Sequence, residues 1–331
     1  MNLRILANFL AVAEEQSITR AAERMYISQQ SLSEQMARLE SHYGIELFSR
    51  SRGMKLTYAG QCLAEKAAQI LSLDKQLRTI YDDLRNDFRG ELSLAMSATR
   101  ARHHMPILLP KFKEKYPGVD FHLRSGSSAK MERLVLSGAA DIRIGYESST
   151  FIEINDIFLA QDRLCAVVTR RLLRKALGDK LDGMLPSLRG GVDIKLLAEL
   201  PFLLVTIDNH IRRKADNLFY QLGIKPQVML ENDDIETVFL LAARSIGVSF
   251  YPETLIAARK DIFVPNGEDT VYVFPIEYPG CNLQLVASYH RERPPSRIAL
   301  ALIEMLRELL VDLKESLAAT GVGESGAGEP L

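Results

Sequence analysis

Residues 28–43, SQQSLSEQMARLESHY, carry side chains suited to reading another molecule through hydrogen bonds. Leu32, Met36, Leu39 and Tyr43 recur at helical spacing and predict the buried stripe of a helix capped by Ser28. A step of about 100° per residue then turns Gln30, Glu34, Ala37 and Ser41 outward, flanked by Ser33 and Arg38, with Gln29 at the tip. Amides can pair with adenine, hydroxyls with bases or phosphates, and an alanine permits close approach. That is the chemistry of a helix in a DNA major groove. Arg20 and Arg24 upstream, and Arg50, Arg52 and Lys55 downstream, would supply charge for phosphates. The competing reading is a helix whose outer face is merely solvated.

Such a face needs a scaffold, and the flanking sequence supplies one. Leu3, Leu6, Phe9, Leu10 and Ala13 predict a first helix, and Ala21, Ala22 and Met25 the inner side of a second that starts near Ser17. Gly44 ends the third helix, and ELFSRSRGMKLTYAG predicts a short hairpin or wing around the turn SRSRGMK. In the long run that follows, Leu63, Ile70, Leu77 and Leu84 are spaced by seven, with Leu73 and Ile80 as a second seam. This helix is expected to pair with a copy of itself; an amphipathic helix packed on its own domain is the alternative. RNDFRG at 85–90 reads as a hinge.

Beyond the hinge, alternating Leu92, Leu94 and Met96 predict a strand, followed by a helix from about Ala101 to Tyr116, the strand VDFHL, a helix in SGSSAKMERLVLSG and the strand ADIRIGY. PFLLVTIDN, IRRKADNLFYQLG, PQVMLEN, DDIETVFLLAARS and IGVSFYP repeat this alternation, so two α/β lobes are predicted. LCAVVT near 164–169 and LQLVASYH near 283–290 are the candidates to cross between them. Residues 318–331, AATGVGESGAGEPL, have the composition of a disordered tail.

Composition excludes more than it selects. With 331 residues, 47% hydrophobic and 25% charged, the chain is long enough for two or three domains. No apolar run reaches the roughly 18 residues of a membrane span, and acidic residues come too early for a signal peptide, so a cytoplasmic protein without a membrane partner is expected. The balance of 41 basic against 42 acidic residues confines any nucleic-acid surface to a local patch. Cys62, Cys165 and Cys281 are too scattered for a disulfide framework or a zinc site. Adjacent His103 and His104 point about 100° apart on a helix and would not share one ion, so neither metal nor cofactor is expected. No G-x-S-x-G, P-loop, dinucleotide fingerprint or HExxH occurs to support an enzyme fused to a DNA-binding head.

The segments AVAEE, TRAAERM, SQQSLSEQMARLE, G-IELFSR and LTYAG occur in order without gaps and closely resemble the winged helix-turn-helix of the LysR-type transcriptional regulators. LLPKFKEKYPGVDF, RLVLSGAADIRIGY and LLAARSIGVSFYP extend the resemblance over roughly residues 2–310. It implies an N-terminal all-α winged helix-turn-helix at 1–58, a linker and dimerisation helix with hinge at 59–89, and a C-terminal α/β effector domain at 90–317 whose two lobes resemble a periplasmic binding protein. Expected partners are double-stranded promoter DNA, a second copy in a homodimer, a homotetramer of two dimers, and RNA polymerase. The expected ligand is a small, anionic effector of unknown identity held between the lobes.

By the same resemblance, Gln29, Gln30 and Ser33 contact bases or backbone and Arg52 sits on the wing near the minor groove; Arg20, Ser28, Glu34, Arg38 and Arg50 complete the expected DNA-binding set. Leu63, Ile70, Leu77 and Leu84 form the dimerisation set. Ser97, Thr99 and Arg100 in MSATRARHHMP match ligand-contacting positions, joined by Ser125, Ser127, Tyr146 and Thr206. Hydroxyls, helix-end amides and a guanidinium suit an anion. The pattern S-x-T-x-A-R looks most like the sulfur-assimilation branch of the family, where inorganic or sulfur-bearing anions are sensed. The plainer reading is that these hydroxyls satisfy caps and turns. A regulator switched by cysteine oxidation, or a constitutive one, is the alternative. Two departures stand out: Gln30 replaces the usual proline after SQ, and Glu34 replaces a frequent arginine. A carboxylate accepts from cytosine N4 but cannot donate to guanine, which predicts a different half-site preference. The stretch 170–195 is longer than the usual connection and is expected to form a helical excursion.

Overall fold

Asn2 opens the first helix by accepting the Ile5 N–H on its side chain (3.0 Å), and α1 runs Leu3–Glu15 until Gln16 turns left-handed at φ 48°. The structure, a computed structural model, describes residues 2–49, 54–84, 88–147, 151–257, 259, 266–278 and 280–319. Ser17 and Ser28 cap α2 (Ile18–Arg24) and α3 (Gln29–Tyr43) in the same way. Leu6, Phe9 and Val12, Ala21 and Ala22, and Leu32, Met36 and Leu39 close one core between the three helices. Two positions of the expected stripes fall outside it: Leu3 is 37% exposed and Tyr43 45%, because each lies on a helix end that overshoots the core.

The strands β1 (Phe48–Ser49) and β2 (Lys55–Leu56) pair antiparallel as the root of the wing; its tip, with Arg50 and Arg52, lies outside the described residues. Helix α4 (Tyr58–Leu84) packs close to this hairpin, and Gly60 permits it, since a Cβ there would collide with the Leu47 carbonyl oxygen. Ala67 is fully buried and Leu63 half-buried on the head core, so Leu63 is spent inside the head rather than along a free seam. Further on, Ile70, Leu73 and Leu77 are 38%, 58% and 56% exposed. The side chains of Ile80 and Leu84 lie outside the described residues.

The first lobe is a parallel βαβαβ unit: β3 (Gly90–Met96), α5 (Ala98–Lys115), β4 (Val119–Ser125), α6 (Ser128–Ser137) and β5 (Ile142–Tyr146), with β3 between β4 and β5. Helix α5 starts a turn earlier than the sequence suggests because Ser97 caps it, and its two prolines, Pro106 and Pro110, lie on the exposed face. Lys75 of α4 pairs with Asp141 (2.8 Å) and Arg293 donates to the Ser72 hydroxyl (2.9 Å), docking α4 onto this lobe.

The chain then crosses on one 16-residue strand, β6 (Ile154–Thr169). The stretch after it is the expected excursion: α7 (Arg170–Leu177) and α8 (Leu181–Leu188), which bury Leu172, Leu173, Leu181 and Leu188 in the second core. Lobe II follows with β7 (Pro201–Val205), α9 (His210–Leu222), β8 (Gln227–Asn232), α10 (Ile235–Ala242), β9 (Ser249–Pro252), α11 (Glu253–Ile256) and β10 (Val271–Pro275). The chain returns on β11 (Asn282–His290), which inserts between β5 and β6 and so belongs to lobe I, before α12 (Arg297–Ala319) closes that lobe's core. Strand β6 pairs with β11 along its first half and with β9 and β10 along its second, so it is part of both sheets. Phe250 and Tyr251 are core residues of lobe II. Ala318 and Ala319, expected in a disordered tail, instead end α12; residues 320–331 lie outside the described residues. Among the described residues no helix is long and apolar enough to cross a membrane.

Candidate functional site

Two clusters of polar residues have no role in either core. The first is the outer face of α3, where Gln29, Gln30, Ser33, Glu34, Ala37, Arg38 and Ser41 are all exposed. Gln30 Nε2 donates to Glu34 Oε1 (3.4 Å) and Arg38 lies 3.6 Å from the same carboxylate, so Glu34 is held between two donors. Ser28 Oγ accepts the Ser31 N–H (3.2 Å), which fixes the helix end and leaves the hydroxyl proton to donate outward. Arg20 and Arg24 are engaged with α1: Arg20 donates to the Glu15 carbonyl, and Arg24 pairs with Glu14 (2.6 Å) and Glu15 (3.2 Å). A phosphate would have to draw them off those partners. Tyr26, in the turn between α2 and α3, is 95% exposed and left-handed at φ 54°. Sequence periodicity passed over it because a turn residue belongs to no stripe.

The second cluster lies where the lobes meet. Ser97 Oγ caps α5 by accepting the Arg100 N–H (3.2 Å), and the cap aims Thr99 and Arg100 inward. Arg100 is 3% exposed: Nη2 donates to the Tyr146 hydroxyl (3.0 Å), Nη1 donates to Thr254 Oγ1 (3.3 Å), and Asp162 stands 3.7 Å away. Asp162 is fully buried and accepts from the Tyr146 hydroxyl (3.0 Å), the Thr254 hydroxyl (2.6 Å) and the Thr254 N–H (2.9 Å). Burial, and then the negative charge of Asp162, pushes the Tyr146 hydroxyl well above its usual pKa. The sequence marked Arg100 as a free charge for a ligand; the fold gives it a counterion within the protein, Asp162. Thr99, 6% exposed, keeps a hydroxyl with no partner among the described residues.

The remaining expected contacts divide. Across from Tyr146, His210 at the start of α9 presents its ring edge-on at 6.4 Å. Burial, and then the charge of Arg213, lowers His210 to about 4. Thr206, half-buried, opens the loop that leads to it. Ser127 caps α6 by accepting the Lys130 N–H (3.4 Å). Ser125, exposed at the end of β4, pairs with Met96 beside the start of α5 and borders an outer surface with Ala98 and Leu123. His103 and His104 part company. His103 Nε2 reaches Glu236 Oε2 of lobe II (3.3 Å), which also accepts from the Tyr251 hydroxyl (2.6 Å), whereas His104 is wholly buried.

Sequence reasoning missed Asp162, Thr254, Glu236 and Arg143. The first three come from segments far from MSATR in the chain, and nothing local marks them. Arg143 did leave a signal, a charged residue inside the apolar strand ADIRIGY. It is fully buried; Nη2 donates to the Tyr146 carbonyl (3.1 Å), Glu132 lies 3.7 Å away, and Nε and Nη1 have no partner among the described residues. Gly145 makes room for it, since a Cβ there would lie 2.8 Å from Nη1.

Comparison with known proteins places both regions. Residues 3–61 match the bacterial regulatory helix-turn-helix proteins of the lysR family, and residues 85–311 match the LysR substrate binding domain. The uncharacterised HTH-type transcriptional regulator YcgK of Bacillus subtilis is 28% identical over 322 residues, covering 94% of this chain and 95% of that one. The HTH-type transcriptional activator IlvY of Salmonella typhimurium is 30% identical over 77% of this chain and 84% of its own. Among solved structures, full-length CbnR complexed with its target DNA superposes with a TM-score of 0.61 at 22% identity, over 93% of this chain and 99% of that one. The chain therefore belongs to the LysR family and is a DNA-binding transcriptional regulator with an effector-binding domain.

Proposed function

We propose that this regulator reads promoter DNA with the outer face of α3, and that a small anion entering between the lobes at the N-terminus of α5 alters that binding. The observation that carries the sensor half is Thr99, a nearly buried residue (6% exposed) whose hydroxyl has no partner among the described residues and lies beside the first-turn amides that a helix leaves free. Because Asp162 already balances Arg100, the ligand either adds to that pair or displaces Asp162 from it. The DNA half is supported by the exposed amides and hydroxyls of α3, and by a relative of the same fold crystallised with its target DNA. Exposed Ile70, Leu73 and Leu77 on α4 support a homodimer, and the apolar surface of Met105, Pro106 and Leu123 supports further assembly into a tetramer. We assign the chain no catalytic step and a cytoplasmic place of action, where promoter DNA is found. An oxidation switch draws little support from Cys165 and Cys281: burial pushes the first thiol well above its usual pKa and the second up to about 11.

The test is thermal unfolding of the full chain with sulfate, thiosulfate, sulfur amino-acid precursors, dicarboxylates and aromatic acids. At about 100 times its dissociation constant a ligand adds roughly 2.7 kcal/mol. Thr99→Val should lose that gain while keeping its fold. A gain that survives in Thr99→Val, or none with any anion, would overturn the assignment of the site.

A further inference from the structure

Successive side chains of β6 point to opposite faces, so while Asp162 faces Arg100, its neighbours Gln161 and Arg163 face away. On that far side lies a cavity of about 870 Å³, within the size range of small-molecule sites. It shares β6 and α11 with the inter-lobe cluster, through side chains other than Asp162 and Thr254, and its remaining walls come from α8 and the turn after it, β10, Asn282 of β11 and the end of α12, which that cluster does not use. Cys165, Ile256, Val273, Pro275 and Leu317 make the apolar part.

The polar part carries a surplus of positive charge. Arg163 and Glu253 neutralise each other in a two-point pair. Lys314 donates to the Gln161 carbonyl, which uses one of its three N–H groups and leaves its charge unbalanced. The side chain of Arg189, half-buried in the wall, has no hydrogen bond or ion pair among the described residues. The other arginines of the same excursion are matched: Arg170 with Asp182, Arg171 with Asp269 (3.0 Å) and Arg174 with Glu268 (3.2 Å). The one arginine left without an acid is therefore the one that lines the cavity.

We propose that this cavity is a second effector site, separate from the one between the lobes, for a small organic carboxylate with an apolar body: Arg189 and Lys314 take the carboxylate and Ile256, Val273 and Leu317 the body. A ligand here would bridge α8 and β10 of lobe II to α12 of lobe I, so its occupancy would be coupled to how the lobes sit together.

Calorimetric titration of the full chain with octanoate and with benzoate tests this, using 1-octanol and inorganic sulfate as controls. At least one carboxylate should bind saturably, while sulfate alone and 1-octanol should bind at least tenfold more weakly. Arg189→Gln should weaken the carboxylate by about 10- to 100-fold, the worth of a hydrogen bond to a charged group. Gly190→Trp should block the cavity: the residue is exposed, its φ is not positive, and an added Cβ meets only the Ser187 carbonyl oxygen at 3.6 Å, so the fold should tolerate it. Thr99→Val should leave this binding unchanged. The proposal is overturned if neither carboxylate binds, if 1-octanol binds as well as octanoate, or if Thr99→Val weakens binding as much as Arg189→Gln. It is also overturned if only a chain ending at Ala319 binds, since residues 320–331 would then be the natural occupant.

Discussion

The outer face of α3 and the junction of the lobes are both built from polar side chains, yet they solve opposite problems. On α3 every candidate contact is solvated, so each group stays hydrated until a partner displaces the water, and neighbours such as Gln30, Glu34 and Arg38 need only loose contacts. At the junction Arg100 and Asp162 are out of water, where an unpaired charge costs several kcal/mol, and Arg100 donates to the Tyr146 and Thr254 hydroxyls, which in turn donate to Asp162. A reading surface can thus be altered residue by residue at little cost to the fold, whereas a sensing junction cannot.

The sharpest way to break that contrast is at Asp162. Asp162→Ala should lower the unfolding free energy by about 3–5 kcal/mol because it strands Arg100, and adding Arg100→Met should recover much of the loss. Denaturant unfolding of the single and double variants checks this; additive losses would mean that the two charges do not depend on each other.

His104 offers a second test. Burial, and then the charge of Arg100, holds it down at about 3. A histidine kept neutral in the fold contributes its full stability above about pH 6.5. Below that the unfolded chain takes up a proton that the native state refuses, so stability falls by about 1.4 kcal/mol per pH unit down toward pH 3. His104→Leu should flatten this slope between pH 6 and 4; parallel slopes in the two proteins would refute the assignment.

The reading face should answer differently. Gln30→Ala should cost about 1–3 kcal/mol of discrimination at one base pair, with unfolding unchanged within about 0.5 kcal/mol. Glu34→Arg, tested by selection from random DNA, should move one half-site position from cytosine to guanine, and an unchanged consensus would remove Glu34 from the readout. Smallest in effect, Arg20→Ala and Arg24→Ala should each lower the slope of log affinity against log salt by about one. No change in slope would mean that these arginines stay on Glu14 and Glu15 when DNA is bound.

The same contrast explains what could be read from the amino acids alone. A solvated helix face follows from the period of its buried face, so Leu32, Met36 and Leu39 sufficed to orient Gln30 and Glu34. The period failed only at helix ends, where Leu3 and Tyr43 outrun the core. The alternation from β3 to β5 and from β7 to β9 was legible for the same reason, whereas α11, β10 and α12 were not named from the sequence. The junction was half legible: MSATR announced itself through a capping serine and a helix N-terminus, but its counterion arrives on a strand more than sixty residues later. No local pattern says that Asp162 rather than Asp156 will face Arg100. The cavity behind β6 was hidden altogether, since its walls are ordinary core residues and the single odd arginine sits among other cations whose acids only the fold supplies.

Strand β11 sits between β5 and β6, yet it is made long after both. At a synthesis rate of about 5–20 residues per second, roughly seven to thirty seconds separate the emergence of β5 from that of its sheet neighbour. During that interval the nascent chain holds a finished DNA-reading head and a lobe II that can settle on its own helices, while lobe I waits with an open sheet edge and no α12 to cover it. Only β11 and α12, made after lobe II, complete the sheet and the cover of lobe I, so a chain truncated before them would carry a head able to meet DNA but no finished sensor to govern it.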